Sequence, residues 1–329
     1  MEYNKVIVTG ANGLLGVNTV IELLESGYNV TGFLRKSDRF VDINHKNLKL
    51  FEGDITNIDA LNKAFLNIDV VIHTAALTDQ NLLSYENYRK INVEGVKYVL
   101  EACKKNKVKK LIYVSTANQF GYGDLKSPGN ENTQMKYPFT SSFYCQSKTE
   151  ATDYLLSQKE EMDVVIVNPT FMIGAFGTKP SSGKIVLEGM KKRVVLCPSG
   201  GKNFVNVRDV SKGILNAMKY GKSGECYLLG NENLSYSDFF IKLRSFTKRK
   251  FVIVPMPDAL LRWLGLMGDV LRYFRISTPL SSVNIKLLLT NNFFSNEKSK
   301  RELKLKYNPI DTGIKESCEW FYAQPKNKF

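Results

Sequence analysis

Lys5 to Gly16 reads KVIVTGANGLLG. A run of β-branched residues ends at Thr9, glycines follow at Gly10, Gly13 and Gly16, and Leu14 and Leu15 begin a helical pattern. β-Branched side chains favour extended backbone, and glycine permits a tight turn and close approach of the main chain to a ligand. A helix start presents unpaired N–H groups that attract negative charge. A strand, a G-x-x-G-x-x-G turn and a helix start in that order form a pyrophosphate cradle, with Gly10, Asn12, Gly13, Leu14, Leu15 and Gly16 as its residues. Three glycines alone would say little. Their place at the head of a strand–helix series carries the inference.

That series extends through the first half of the chain. Residues 5–9, 29–34, 48–53, 69–73, 110–115 and 163–168 read as strands, and 14–26, 57–66, 84–106 and 140–158 as helices. The strands are mostly continuous β-branched runs, the pattern of a parallel sheet covered on both faces. The fold class expected is therefore α/β, a Rossmann-type doubly wound parallel sheet. After residue 170 the rhythm breaks: GAFGTKPSSG (174–183) is loop by composition, short strands are expected at VVLC, FVNV and CYLLG, and mostly helix runs to the end. The division expected is a dinucleotide-binding domain over 1–173, rejoined by segments near 204–230. A smaller, mostly helical substrate-binding cap takes 174–203 and 231–329.

Composition narrows the function classes. The 329 residues carry a formal charge of +14. From Phe240 onward, 17 Lys and Arg face 7 Asp and Glu, so most of the excess lies there. Such a bias favours anionic partners, but no basic–aromatic array supports nucleic acid. Five scattered cysteines and two histidines argue against a metal site and fit free thiols in a reducing compartment. The stretch MEYNKVIVTG is too polar for a secretory signal, and no apolar run reaches the about 18 residues of a membrane span. A cytoplasmic protein is expected.

The end of the second strand bears on the dinucleotide. An acidic residue there grips a ribose 2′-hydroxyl, whereas a basic one accepts a 2′-phosphate. The sequence has Arg35 and Lys36, so NADP(H) is favoured over NAD(H).

Further motifs occur in a fixed order: GDIT (53–56), HTAA (73–76), NVEG (92–95), YVSTANQFGYG (113–123), Y-x-x-x-K (Tyr144 to Lys148), NPTFMIG (168–174) and FVNVRDV (204–210). With the glycine turn, they make the chain resemble the extended short-chain dehydrogenase/reductases, the NAD-dependent epimerase/dehydratase family, over nearly its whole length. The local phrases look most like the dihydroflavonol-reductase and 3β-hydroxysteroid-dehydrogenase branch. The resemblance implies that Asp54 and Ile55 hold the adenine and that Ala75 and Ala76 flank the pyrophosphate and ribose. It implies also that Asn92 braces the active-site helix, that Lys148 holds the nicotinamide ribose, and that Pro169 and Met172 line the nicotinamide. A homodimer packed through the helices near 84–106 and 140–158 is implied too. His73, ending a buried strand, is expected to be a packing residue.

Tyr144 and Lys148 stand one helical turn apart and share a face. A phenol titrating near pH ~10 is a poor proton donor at neutral pH, and a neighbouring ammonium is expected to lower that value. Tyr144 would then exchange a proton with a carbonyl or alcohol oxygen while Thr116, where the family usually has serine, hydrogen-bonds the same oxygen. Ser115 beside it leaves that assignment open.

Dehydratases of the family carry Asp-Glu after this position. Here Ala117 and Asn118 follow, which disfavours dehydration. Reduction of a ketone or aldehyde is expected first, epimerisation of a nucleotide sugar with retained NAD second, and a silent cofactor-binding module third. In the cap, Leu260, Leu264, Met267, Leu271 and Phe274 follow 4-3-4-3 spacing. That stripe reads first as core packing. The sharper reading is a lid or interfacial helix that admits a lipid-like substrate and touches a membrane surface.

Overall fold

The computed structural model describes residues 3–79, 82–177 and 182–325. The first half runs β1 (Lys5–Thr9), α1 (Leu14–Glu25), β2 (Asn29–Leu34), β3 (Leu48–Glu52), α2 (Ile58–Ala64), β4 (Val70–His73), α3 (Tyr85–Tyr88), α4 (Gly95–Lys105), β5 (Lys110–Val114), α5 (Phe143–Ser157) and β6 (Val164–Pro169). A π-helical stretch, Arg89–Glu94, joins α3 to α4. The second half runs β7 (Phe171–Ile173), α6 (Lys184–Lys191), β8 (Val194–Cys197), β9 (Gly201–Asn206), α7 (Val207–Tyr220), β10 (Cys226–Leu229), β11 (Glu232–Ser235) and α8 (Tyr236–Phe246). It closes with β12 (Val252–Pro255), α9 (Asp258–Tyr273), α10 (Ser282–Leu288), β13 (Asn291–Asn292), α11 (Glu297–Glu302) and α12 (Ile310–Ala323).

Seven parallel strands form the main sheet in the order β10-β6-β5-β4-β1-β2-β3. The sequence pattern explains its coverage. Along β1, Val6 and Val8 point into one core with Val30, Val165 and Leu215, while Ile7 points into another with Val71, Leu111 and Leu155. Successive side chains of a strand face opposite ways, so a strand covered on both sides needs apolar residues at every position. Chain order reverses between β1 and β4, the crevice where open α/β sheets bind ligands at the carboxyl ends of their strands.

The cap has its own core, built on Phe204, Phe239, Phe240, Phe251, Ile314 and Phe321. It is mostly helical as expected, through α6, α8, α9, α10, α11 and α12, and it carries short strands as well. β7, β9, β11 and β13 form a four-stranded sheet, and β8 pairs in parallel with β12. These strands are two to six residues long, and it is their pairing partners, not their own patterning, that define them. α7 and β10 return to the main sheet, whereas β9 does not. Of the loop read at 174–183, residues 178–181 lie outside the described residues.

The core-packing reading of the cap stripe is overturned. Leu264 and Leu271 are half-buried, but Leu260, Met267 and Phe274 are exposed, Phe274 by 67 %. α9 turns its glycines inward instead. A Cβ on Gly268 would stand 2.3 Å from the carbonyl oxygen of Leu280, and one on Gly265 would stand 3.1 Å from Ile285. Close helix approach through small residues leaves the large ones outside. Among the described residues no helix is long and apolar enough to cross a membrane.

Candidate active site

The glycine turn lies at the switch point, and each glycine has its own reason to be there. Gly10 has φ +70°, and a Cβ on it would fall 2.8 Å from the backbone of Ala75. A Cβ on Gly16 would fall 2.2 Å from the carbonyl oxygen of Gly10, so this glycine lets α1 approach β1. At Gly13 the nearest protein atom is 3.4 Å away. The protein does not need that space, but a pyrophosphate does. Gly13 is the N-cap of α1, makes no side-chain cap, and leaves no acidic residue in the first turn. The first N–H groups, at Leu14 and Leu15, thus stay open to an anion. These residues fit a dinucleotide, and the chemistry such a group supplies is hydride transfer.

Around this cradle lie the other residues expected from the sequence. Ala75 and Ala76 follow β4, and Thr74 donates to the carbonyl of Thr9 at 2.7 Å, tying that segment to β1. Asp54 accepts from Thr56 N and Oγ1 at 2.8 and 2.7 Å. Burial raises its carboxyl, but these bonds and the Arg35 and Lys90 charges outweigh burial and hold it below its ordinary value. Ile55 is buried against Gly95. Arg35 and Lys36 are exposed just after β2. Beside them Glu52, unremarked in the sequence, accepts from Ser37 N at 2.7 Å. Pro169 ends β6 fully buried, and Met172 packs with the core that contains Leu15.

Asn92 shows how the helix that carries Tyr144 and Lys148 is held. Its Oδ1 accepts from Leu77 N at 2.8 Å, and its Nδ2 donates to the Leu77 carbonyl at 3.1 Å and to Ser147 Oγ at 3.0 Å. One buried amide joins the segment after β4 to α5, beside Lys148. It lies in the π-helical stretch, a distortion that often re-aims side chains at functional sites.

Thr116, at the end of β5, shares a hydrogen bond with the Tyr144 phenol. Ser115 is committed elsewhere: its Oγ donates to Gln119 Oε1 at 2.8 Å and lies 3.0 Å from Thr152 Oγ1. The geometry therefore brings Thr116, not Ser115, to the tyrosine. Lys148 is 1 % exposed, donates to the Val114 carbonyl at 2.7 Å, and lies over the Tyr113 ring at 4.2 Å. His73 packs as expected: its Nδ1 is 2.7 Å from Thr9 Oγ1, its ring stacks on Tyr113, and burial pushes its pKa down to about 3.

In one respect the site differs from the sequence-based expectation. Burial pushes the Tyr144 phenol well above its ordinary range, with no lowering from Lys148. The lysine is itself buried, its pKa falls to about 7, and its ammonium is turned to Val114. Desolvation disfavours both charged forms and here outweighs their mutual attraction. The resting phenol is protonated, the form that donates to a carbonyl oxygen.

Lys202 on β9 was not singled out by the sequence. Its Nζ lies 5.2 Å from the Phe171 ring, and its charge is felt by Cys145, next to Tyr144. Among the described residues no acceptor pairs with it, and burial lowers its pKa to about 8. Lys202 is half-buried, and a partly desolvated cation without an anion beside it costs stability while it is charged and less once neutral. Lys202→Met should therefore raise the melting temperature at pH 7, on the order of 2–4 °C. That gain should shrink as pH rises from about 8 toward the ordinary lysine value of 10.5, measured by thermal denaturation across that range.

Sheet order, an uncapped helix start at the switch point and a Thr–Tyr–Lys set beside it together define a nicotinamide-dependent α/β oxidoreductase. The family model for the NAD dependent epimerase/dehydratase family matches residues 6–230. The chain belongs to that family and is an NAD(P)-dependent enzyme of the dehydrogenase/reductase kind. It is 27 % identical over 326 residues to a putative dihydroflavonol 4-reductase of Synechocystis sp., covering 95 % of this chain and 93 % of the relative. It is 28 % identical over 338 residues to a 3-beta-hydroxysteroid dehydrogenase of Mycolicibacterium neoaurum, covering 94 % and 88 %. The UDP-glucose 4-epimerase of Thermotoga maritima shares the fold with a TM-score of 0.77 at 21 % identity, covering 97 % of this chain and 98 % of that one.

Proposed function

We propose that the protein is an NADPH-dependent reductase of a ketone on a bulky, apolar substrate, with Tyr144 as proton donor. One observation carries the reading: a protonated, half-buried phenol, hydrogen-bonded to Thr116, stands on the helix that Asn92 ties to the segment after β4. Tyr144 would donate its proton to the carbonyl oxygen, Thr116 would steady the charge that develops there, and Lys148 would bind the ribose. The named activities of the reductase and steroid-dehydrogenase relatives support a bulky substrate, and the absence of an Asp-Glu pair after Thr116 speaks against dehydration.

NADPH is the preferred dinucleotide in this reading because Arg35 and Lys36 stand exposed just after β2, where a basic residue would meet a 2′-phosphate. Loss of one charge-assisted pair costs about 1.5–3 kcal/mol, so Arg35→Ala should weaken NADPH binding by roughly 10- to 150-fold and leave NADH within about 3-fold. Titration of both cofactors by fluorescence checks this, and equal loss for the two would mean that Arg35 does not read the phosphate. The test of the activity is NADPH oxidation with steroid, flavonoid and long-chain 3-keto lipid ketones, run beside UDP-sugars. Turnover of a UDP-sugar with no net cofactor change would establish epimerisation instead.

A further inference from the structure

α9 inverts the usual arrangement of an amphipathic helix. Leu261, Gly265 and Gly268 are buried, and the inner side is fixed to the next segment. Ser282 N donates to Asp269 Oδ1 at 3.0 Å, and the Arg272 guanidinium donates to the Thr278 carbonyl at 3.2 and 3.1 Å. The outer side carries Leu260, Trp263, Met267, Val270 and Phe274 at 3-4-3-4 spacing, all exposed, and Leu266 and Tyr273 widen the stripe. Trp263 is 56 % exposed and Tyr273 82 %. A contiguous apolar face of this kind on a folded chain marks an interaction surface.

The ribbon just before the helix repeats the pattern. β12 pairs with β8 so that Val252 lies beside Val194 and Val254 beside Leu196. All four of these side chains are exposed, while Val195 and Cys197 between them are buried. Because the strands are parallel, both begin at one end of the ribbon, β8 directly after three cations and β12 one residue, Phe251, after three more. Lys191, Lys192 and Arg193 precede β8; Lys248, Arg249 and Lys250 precede β12; all six are exposed. Only Met256 and Pro257 separate the ribbon from α9.

We propose that the ribbon β8–β12 and the outer face of α9 form one surface that seats the protein on an anionic phospholipid bilayer. Apolar side chains beside clustered Lys and Arg match the two layers of such a bilayer, acyl chains below a negative headgroup plane. A second copy is a poorer occupant, because both partners would bring the same positive charge to the contact. The seating does not depend on the reductase reading.

The test is co-sedimentation of the full chain with vesicles of pure phosphatidylcholine and of phosphatidylcholine containing phosphatidylglycerol. Binding is expected to the anionic vesicles, weakening as salt rises. Trp263 emission should shift to the blue on binding, read in a Trp320→Phe background. Trp263→Ser with Phe274→Ser should cut binding at least 10-fold, and Arg249→Glu with Lys250→Glu should remove the preference for anionic vesicles. No sedimentation with either vesicle overturns the proposal. So does a wild-type dimer that the Trp263→Ser, Phe274→Ser variant turns to monomer on size exclusion. Vesicle binding without reduction of any ketone would uphold the surface and defeat the reductase reading, whereas ketone reduction with no vesicle binding would do the reverse.

Discussion

Replacing Tyr144 with phenylalanine is expected to lower kcat by about 10²–10⁴-fold, the usual worth of a positioned proton donor. The ring stays, so packing against the cluster of Ala117, Cys145 and Phe294 persists. What disappears is the hydroxyl that bonds Thr116 and holds the proton. In the proposed reading cofactor binding rests on the glycine turn and on Lys148, so NADPH affinity should stay within about 3-fold of wild type, about 0.6 kcal/mol. Single-turnover NADPH oxidation beside a binding titration separates the two. If the variant still turned over at a tenth of the wild-type rate, some other group would be the donor. Thr116→Val is the companion change: it keeps shape and removes the hydroxyl that would steady the reacting oxygen, so it too should reduce kcat more than it raises KM.

The second large effect separates two glycines that a motif treats alike. Gly16→Ala forces a methyl group to within 2.2 Å of the Gly10 carbonyl oxygen and 2.9 Å of Ala11 backbone atoms. Backbone cannot swing aside as a side chain can, so α1 must move off β1. A loss of about 1–3 kcal/mol is expected, with the melting temperature falling accordingly. Gly13→Ala meets only an ordinary contact at 3.4 Å, and its φ of −81° and ψ of 167° suit alanine. That variant should fold with a melting temperature within about 2–4 °C of wild type. Its new methyl would stand where the pyrophosphate approaches the helix N–H groups, so dinucleotide affinity should fall on the order of 100-fold as charge-assisted hydrogen bonds are lost. Calorimetry on both variants decides it: a Gly13→Ala protein that binds NADPH normally would place the pyrophosphate elsewhere.

The protonation of the site shows where reading residues in isolation stops. Spacing alone places Tyr144 and Lys148 on one face, and an ammonium near a phenol ought to make it more acidic. In the fold Lys148 is buried and Tyr144 half-buried, and Lys148 spends its hydrogen bond on Val114. The sign of the effect reverses because desolvation acts on each group separately, whereas attraction requires that both be charged. Lys202 escaped notice for a related reason. A lysine in a strand is unremarkable until its neighbours are known to supply no anion.

The alternating elements of the first half, the glycine turn and the helical turn shared by Tyr144 and Lys148 could all be read from the sequence, since each depends on residues close in the chain. β-Branched runs and glycine spacing express local backbone preferences and burial on two faces, which neighbours in sequence report faithfully. The choice of Thr116 over Ser115 needed Gln119 and Thr152, the latter 37 residues away, to engage the serine. The outward turn of α9 likewise depended on Leu280 and Ile285, which accept its glycines and leave its large side chains facing out. Periodicity gives the existence of an apolar stripe, but what covers it is a contact between distant segments, and only the tertiary structure decides that.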